Sequence, residues 1–158
     1  MMTTNRVQIL LVEDSAADVL LMREAMREGG VPKDLHVVGD GEQALVFLRD
    51  GLPGQASVPV DLVLLDLNLP RKRGLDVLAE IRADPALRRT PVIILTTSTA
   101  ESDVRRAYDT GANCFMVKPV DFDRFRRVVA ALDEFWFGVA RLPAPDRTPA
   151  TVAEGREG

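Results

Sequence analysis

The chain has 158 residues, of which 46% are hydrophobic, enough to bury a full core and of a length that favours one domain. A formal net charge of −4 argues against a protein that coats nucleic acid or an anionic membrane, and turns attention to protein partners and small ions. The single cysteine, Cys114, excludes an internal disulfide, and neither a signal-peptide core nor a membrane-length apolar run is visible, so a soluble cytoplasmic protein is expected.

Met1 to Arg6 reads as a polar lead-in. Val7 to Val12, apolar except for Gln8, predicts a first strand that closes on Glu13-Asp14-Ser15. Ser15 followed by Asp18 has the form of a capping box, and Val19, Met22 and Met26 then recur at helical spacing until Gly29-Gly30. Leu35 to Val38 predicts a short second strand. Gly39-Asp40-Gly41 leads into a helix with Ala44, Leu45 and Leu48 inward and Asp40 as its N-cap. From Asp50 to Pro59 there is no period, which predicts a loop of more than usual length.

Leu62 to Leu65 is short and wholly apolar, the pattern of a strand buried on both faces. Such a strand has no reason to end in a carboxylate unless the acid emerges into a site, so Asp66 is the first functional candidate. Beyond the Arg71-Lys72-Arg73-Gly74 loop, Leu75, Leu78 and Ile81 form the apolar side of a third helix that Asp84-Pro85 closes. Pro91 opens a fourth strand, Val92 to Thr96. A short polar helix from Ser102 to Tyr108 stops at Gly111, and Cys114 to Val117 is a fifth strand running into Lys118-Pro119. Asp121 is the cap of a fifth helix. Residues 143–158, rich in Pro, Gly and charge, are expected to form a disordered tail too short for a DNA-binding domain, leaving 1–142 as the folded unit.

Strands alternating with helices imply one five-stranded parallel sheet covered on both faces, with right-handed crossovers. All five strands then point one way. Glu13, Asp14, Asp66, Thr96 and Lys118 therefore emerge on one edge, the edge at which open α/β sheets bind ligands. Carboxylates crowded there repel unless a cation offsets them, and hard oxygen donors suit Mg²⁺. The expected ligands are Asp14, Asp66 and the backbone carbonyl of Asn68, with Glu13 acting directly or through water. A carboxylate beside a metal, an ammonium and a hydroxyl is equipped to attack phosphorus, which makes Asp66 the nucleophile and Lys118 and Thr96 the groups that bind phosphoryl oxygens. Thr96 moving inward would vacate space that Phe115 could fill.

Taken together, Glu13-Asp14, Asp66 with Asn68 and Pro70, Gly74, Thr96, Phe115 and Lys118-Pro119 resemble the receiver domain of two-component response regulators, over about Val7 to Val139. The resemblance implies a flavodoxin-like, doubly wound sheet of order 2-1-3-4-5, and phosphorylation of Asp66 by a sensor histidine kinase. It also implies a signalling domain that catalyses only its own phosphoryl transfer and dephosphorylation. Glu13 stands where Asp is as common, and Phe115 replaces a Tyr, removing a hydroxyl from the switch. The long Asp50 loop and the Phe135-Trp136-Phe137 ending further resemble single-domain regulators paired with bacterial phytochrome-type kinases.

Two alternative readings stand beside this one. A haloacid dehalogenase-like phosphatase would need a second acid two residues after Asp66, where Asn68 stands, and a binding scaffold of the same fold would have given up phosphorylation. For the fifth helix, Phe122, Phe125, Val129, Leu132, Trp136 and Val139 form a heptad seam. A continuous helix from Asp121 to Ala140 would span about 30 Å against a strand of about 17 Å. Its last turns should overhang the sheet and expose Phe135, Trp136 and Phe137 as a homodimer interface.

Overall fold

The computed structural model describes residues 6–51, 54 and 58–143. Residues 1–5, the tail from Ala144 and half of the Asp50 to Pro59 loop lie outside the described residues. Five parallel strands, β1 (Val7–Val12), β2 (Lys33–Val38), β3 (Leu62–Leu65), β4 (Val92–Thr96) and β5 (Cys114–Val117), form one sheet in the order β2-β1-β3-β4-β5. The helices are α1 (Ala16–Arg27), α2 (Gly41–Arg49), α3 (Gly74–Ala83), α4 (Glu101–Thr110) and α5 (Phe122–Leu132). This is the doubly wound, flavodoxin-like arrangement expected. Among the described residues, no helix is long and apolar enough to cross a membrane.

The continuous apolar character of β3 has a direct cause in its two covered faces. Leu62 and Leu64 join Met22, Met26, Phe125, Val129 and Leu132 of α1 and α5, whereas Val63 and Leu65 join Ala44, Leu45, Val77, Leu78 and Ile81 of α2 and α3. All four strand residues are fully buried, each side chain contributing about 1.5–3 kcal/mol. The helices start where the sequence signals them. Ser15 Oγ accepts from Asp18 N at 3.2 Å, Asp40 Oδ1 from Gln43 N at 2.8 Å and Asp121 Oδ1 from Asp123 N at 3.2 Å. At the end of α4, Gly111 takes a left-handed conformation with φ of 114°.

The end of the chain departs from the heptad reading. α5 stops at Leu132 and continues as a π-helical segment, Asp133–Val139. Its wider turn moves the inward position from Trp136, four residues after Leu132, to Phe137, five after. Phe137 is 9% exposed and packs with Met26 and Leu132, Trp136 is half-buried, and Phe135 and Val139 are 53% and 69% exposed. Nor does the segment overhang. Asp133 Oδ1 lies 2.6 Å from Lys33 Nζ at the start of β2, and a Cβ on Gly29 would meet the Asp133 carboxylate at 2.4 Å. The three-aromatic patch expected here is thus corrected: Phe137 belongs to the core, and the exposed members of the seam are Phe122 and Val139 rather than Trp136.

Candidate functional site

Strand register builds the site. Val12 stands opposite Leu65, so Glu13 and Asp66 leave the sheet side by side, with Asp66 N donating to Val12 O at 3.2 Å. Thr96 stands opposite Val117, and Lys118 N donates to Thr96 O at 2.7 Å. The site thus lies at the point where strand order reverses, between β1 and β3. Gly74 permits the close approach of α3: a Cβ there would meet Asp66 O at 2.3 Å, and Gly74 N donates to Leu67 O at 3.0 Å.

Carboxylate oxygens of Glu13, Asp14 and Asp66 lie within 4.8 Å of one another; Glu13 and Asp66 are buried and Asp14 is exposed. Lys118 reaches into this group from β5. Its Nζ donates to Glu13 Oε1, to Asp18 Oδ2 at 2.9 Å and to Asp66 Oδ2 at 3.2 Å. Burial alone would lower the ammonium's pKa, but the bonds to Glu13 and Asp18 and the charge of Asp66 outweigh it and hold Lys118 above its ordinary range. Burial also pushes Glu13 up, against its bond to Lys118. The three acids around a single ammonium decide in favour of a charged Lys118, because no neutral state of the lysine satisfies them.

Three hard carboxylates with a surplus of negative charge suit a divalent cation such as Mg²⁺ or Mn²⁺. Asn68 is exposed beside them, its backbone N donating to Asp66 Oδ1 at 3.2 Å. Thr96 is fully buried; its Oγ1 accepts from Ser98 N at 3.4 Å, and Ser98 Oγ donates to Asp103 Oδ2 at 2.5 Å, which ties the end of β4 to α4. Phe115 is half-buried against the α2–α4 core, and its backbone N donates to Tyr108 Oη at 3.1 Å. Expected site residues Glu13, Asp14, Asp66, Asn68, Thr96 and Lys118 therefore share one edge. Phe115 lies further back on β5, and Phe135, Trp136 and Phe137 lie at the opposite end, by Lys33. Asp18 was read only as a capping residue; its spacing from Ser15 carries that signal and gives no hint of Lys118, 100 residues away.

Residues 9–130 match the model of the response regulator receiver domain. The response regulator Rcp1 of Synechocystis sp. is 40% identical over 136 residues, covering 86% of this chain and 92% of its own. The probable methanogenesis regulatory protein FilR2 of Methanothrix harundinacea is 41% identical, with 87% and 88% covered. Among solved structures, the phosphorylated cyanobacterial phytochrome response regulator RcpA superposes with a TM-score of 0.84 at 41% identity, over 89% of this chain and 100% of that one. The Mn²⁺-bound form of Rcp1 gives a TM-score of 0.82 at 40% identity, over 87% and 99%. With the family's fold, strand order and acidic edge all present, this chain belongs to the response regulator receiver domain family.

Proposed function

We propose that this domain accepts a phosphoryl group on Asp66 from the phosphohistidine of a sensor histidine kinase and signals through changed protein contacts. The observation that carries the reading is the buried Lys118 ammonium, bonded at once to Glu13 and Asp66 at the carboxyl edge of the sheet. In the transfer, an Asp66 carboxylate oxygen attacks phosphorus; an O–P bond forms, the donor's N–P bond breaks, and the imidazole nitrogen leaves with the electron pair. Lys118 then offsets the charge of the phosphoryl oxygens, and the Thr96 hydroxyl donates to one of them. Mg²⁺ held by Glu13, Asp14, Asp66 and the Asn68 carbonyl would supply the remaining positive charge.

The signal leaves through Thr96. A phosphoryl oxygen drawing its hydroxyl inward would disturb the Ser98–Asp103 link to α4 and open room for Phe115. Similarity to RcpA, a cyanobacterial phytochrome response regulator, supports a phytochrome-type kinase as the donor. Self-association uses the exposed face of Phe135 with Trp136 and Val139, narrower than the sequence suggested. A phosphatase reading lacks both its second acid, at Asn68, and the family match.

The test is incubation with Mg²⁺ and a small acyl phosphate, read by intact-protein mass spectrometry. One phosphoryl group should be gained by the wild type and none by Asp66→Asn; equal labelling of both would defeat the assignment.

A further inference from the structure

At the head of α1, one carboxylate is directed away from the helix it would ordinarily cap. A full capping box closes in both directions, the side chain of the third helical residue reaching back to the N-cap amide. Here Ser15 Oγ accepts from Asp18 N at 3.2 Å, but Ser15 N donates to Glu13 Oε2 at 3.1 Å instead of to Asp18. Asp18 is left with a carboxylate in the first turn, where the helix dipole favours an anion, and its Oδ2 lies 2.9 Å from Lys118 Nζ.

We propose that Asp18 is a positioning residue for phosphoryl transfer, holding the Lys118 ammonium in register with Asp66; this rests on Asp66 being the acceptor. An ammonium has three N–H donors on a flexible four-carbon stem. Glu13 at the end of β1 and Asp18 on α1 take two of them from separate elements. The third is thereby aimed at Asp66, whose contact is the longer one at 3.2 Å. When Asp66 becomes an acyl phosphate, the two anchors keep the ammonium where the new oxygens need it, without a conformational search. Asp18 stands apart from the Glu13, Asp14 and Asp66 group that suits a metal ion, so its effect passes through the lysine. Its side chain is 35% exposed, against 4% for Glu13, which makes it the weaker anchor and sets a modest scale for its loss.

The test compares Asp18→Ala and Asp18→Asn with the wild type in rate of labelling by a small acyl phosphate and Mg²⁺. Asp18→Ala should slow labelling about fivefold, the scale of one partly exposed charge-assisted bond, and Asp18→Asn, which keeps an acceptor oxygen and the helix start, should recover part of it. Mg²⁺ affinity by calorimetry should stay at the wild-type value in both. In a Lys118→Ala background, itself slow, Asp18→Ala should have no further effect. Wild-type rates in both Asp18 variants, a parallel fall in Mg²⁺ affinity, or a full additive loss on top of Lys118→Ala would each overturn the proposal. Absence of labelling in the wild type would strike at the Asp66 reading first and remove this inference with it.

Discussion

Lys33 and Lys118 sit at opposite ends of the same sheet, each with a side chain 8% exposed, and their surroundings differ in one respect. Lys33 meets one buried carboxylate, Asp133, in close charge contact without hydrogen-bond alignment, while its Nζ also donates to Met26 O at 3.4 Å. Lys118 faces Glu13, Asp18 and Asp66, with Asp14 beside them. The first pair is neutral and ties the π-helical segment to β2. The second leaves a surplus of negative charge that folding does not need and that a cation can offset. Burial of a lysine is thus no sign of function by itself; the charge imbalance around it is.

The largest effect is expected at the balanced end. Asp133→Ala leaves the Lys33 ammonium buried and unpaired, and should lower stability by about 3–5 kcal/mol in denaturant titration while the rate of phosphoryl labelling stays within twofold. A large loss of labelling in protein still folded would mean that the two ends are coupled. Phe137→Ala should cost about 3 kcal/mol through the cavity it leaves, whereas Phe135→Ala should cost under about 0.5 kcal/mol. Equal costs would contradict the π-helical register.

At the unbalanced end the sign should reverse. Asp14→Asn removes one like charge from the cluster and should raise stability by about 1 kcal/mol in chelator, yet weaken Mg²⁺ binding at least tenfold by calorimetry. A lower melting temperature in chelator with unchanged metal affinity would make Asp14 structural. The smallest effect concerns self-association: sedimentation at micromolar concentration should show a dimer weakened in Trp136→Ala, and a wild-type monomer would remove that interface.

The strands and helix starts were legible because each rests on local pattern. β3 reads as doubly buried from four apolar residues, and Asp40 and Asp121 announce their caps; the carboxyl-edge grouping follows from parallel strands alone. What stayed hidden depends on geometry that sequence spacing does not encode. The turn at Asp133 widens because Asp133 is drawn to Lys33 and Phe137 fits the core, a tertiary preference that a 3.6-residue period misassigns to Trp136. Likewise Asp18 carries an intact capping signal, and only the folded geometry, with Ser15 N bonded to Glu13 and Lys118 Nζ bonded to Asp18, reveals that its side chain is committed elsewhere.

Reductive trapping identifies the residue that carries the phosphoryl group. Borohydride converts an acyl phosphate to the alcohol, so peptide mapping after labelling with Mg²⁺ and a small acyl phosphate reports the position modified. Asp66 alone should be converted, and the conversion should be abolished by chelator and by Asp66→Asn. Trapping at Asp14 or Glu13, or an acid-labile label on His36 with Asp66 unmodified, would contradict the assignment to Asp66.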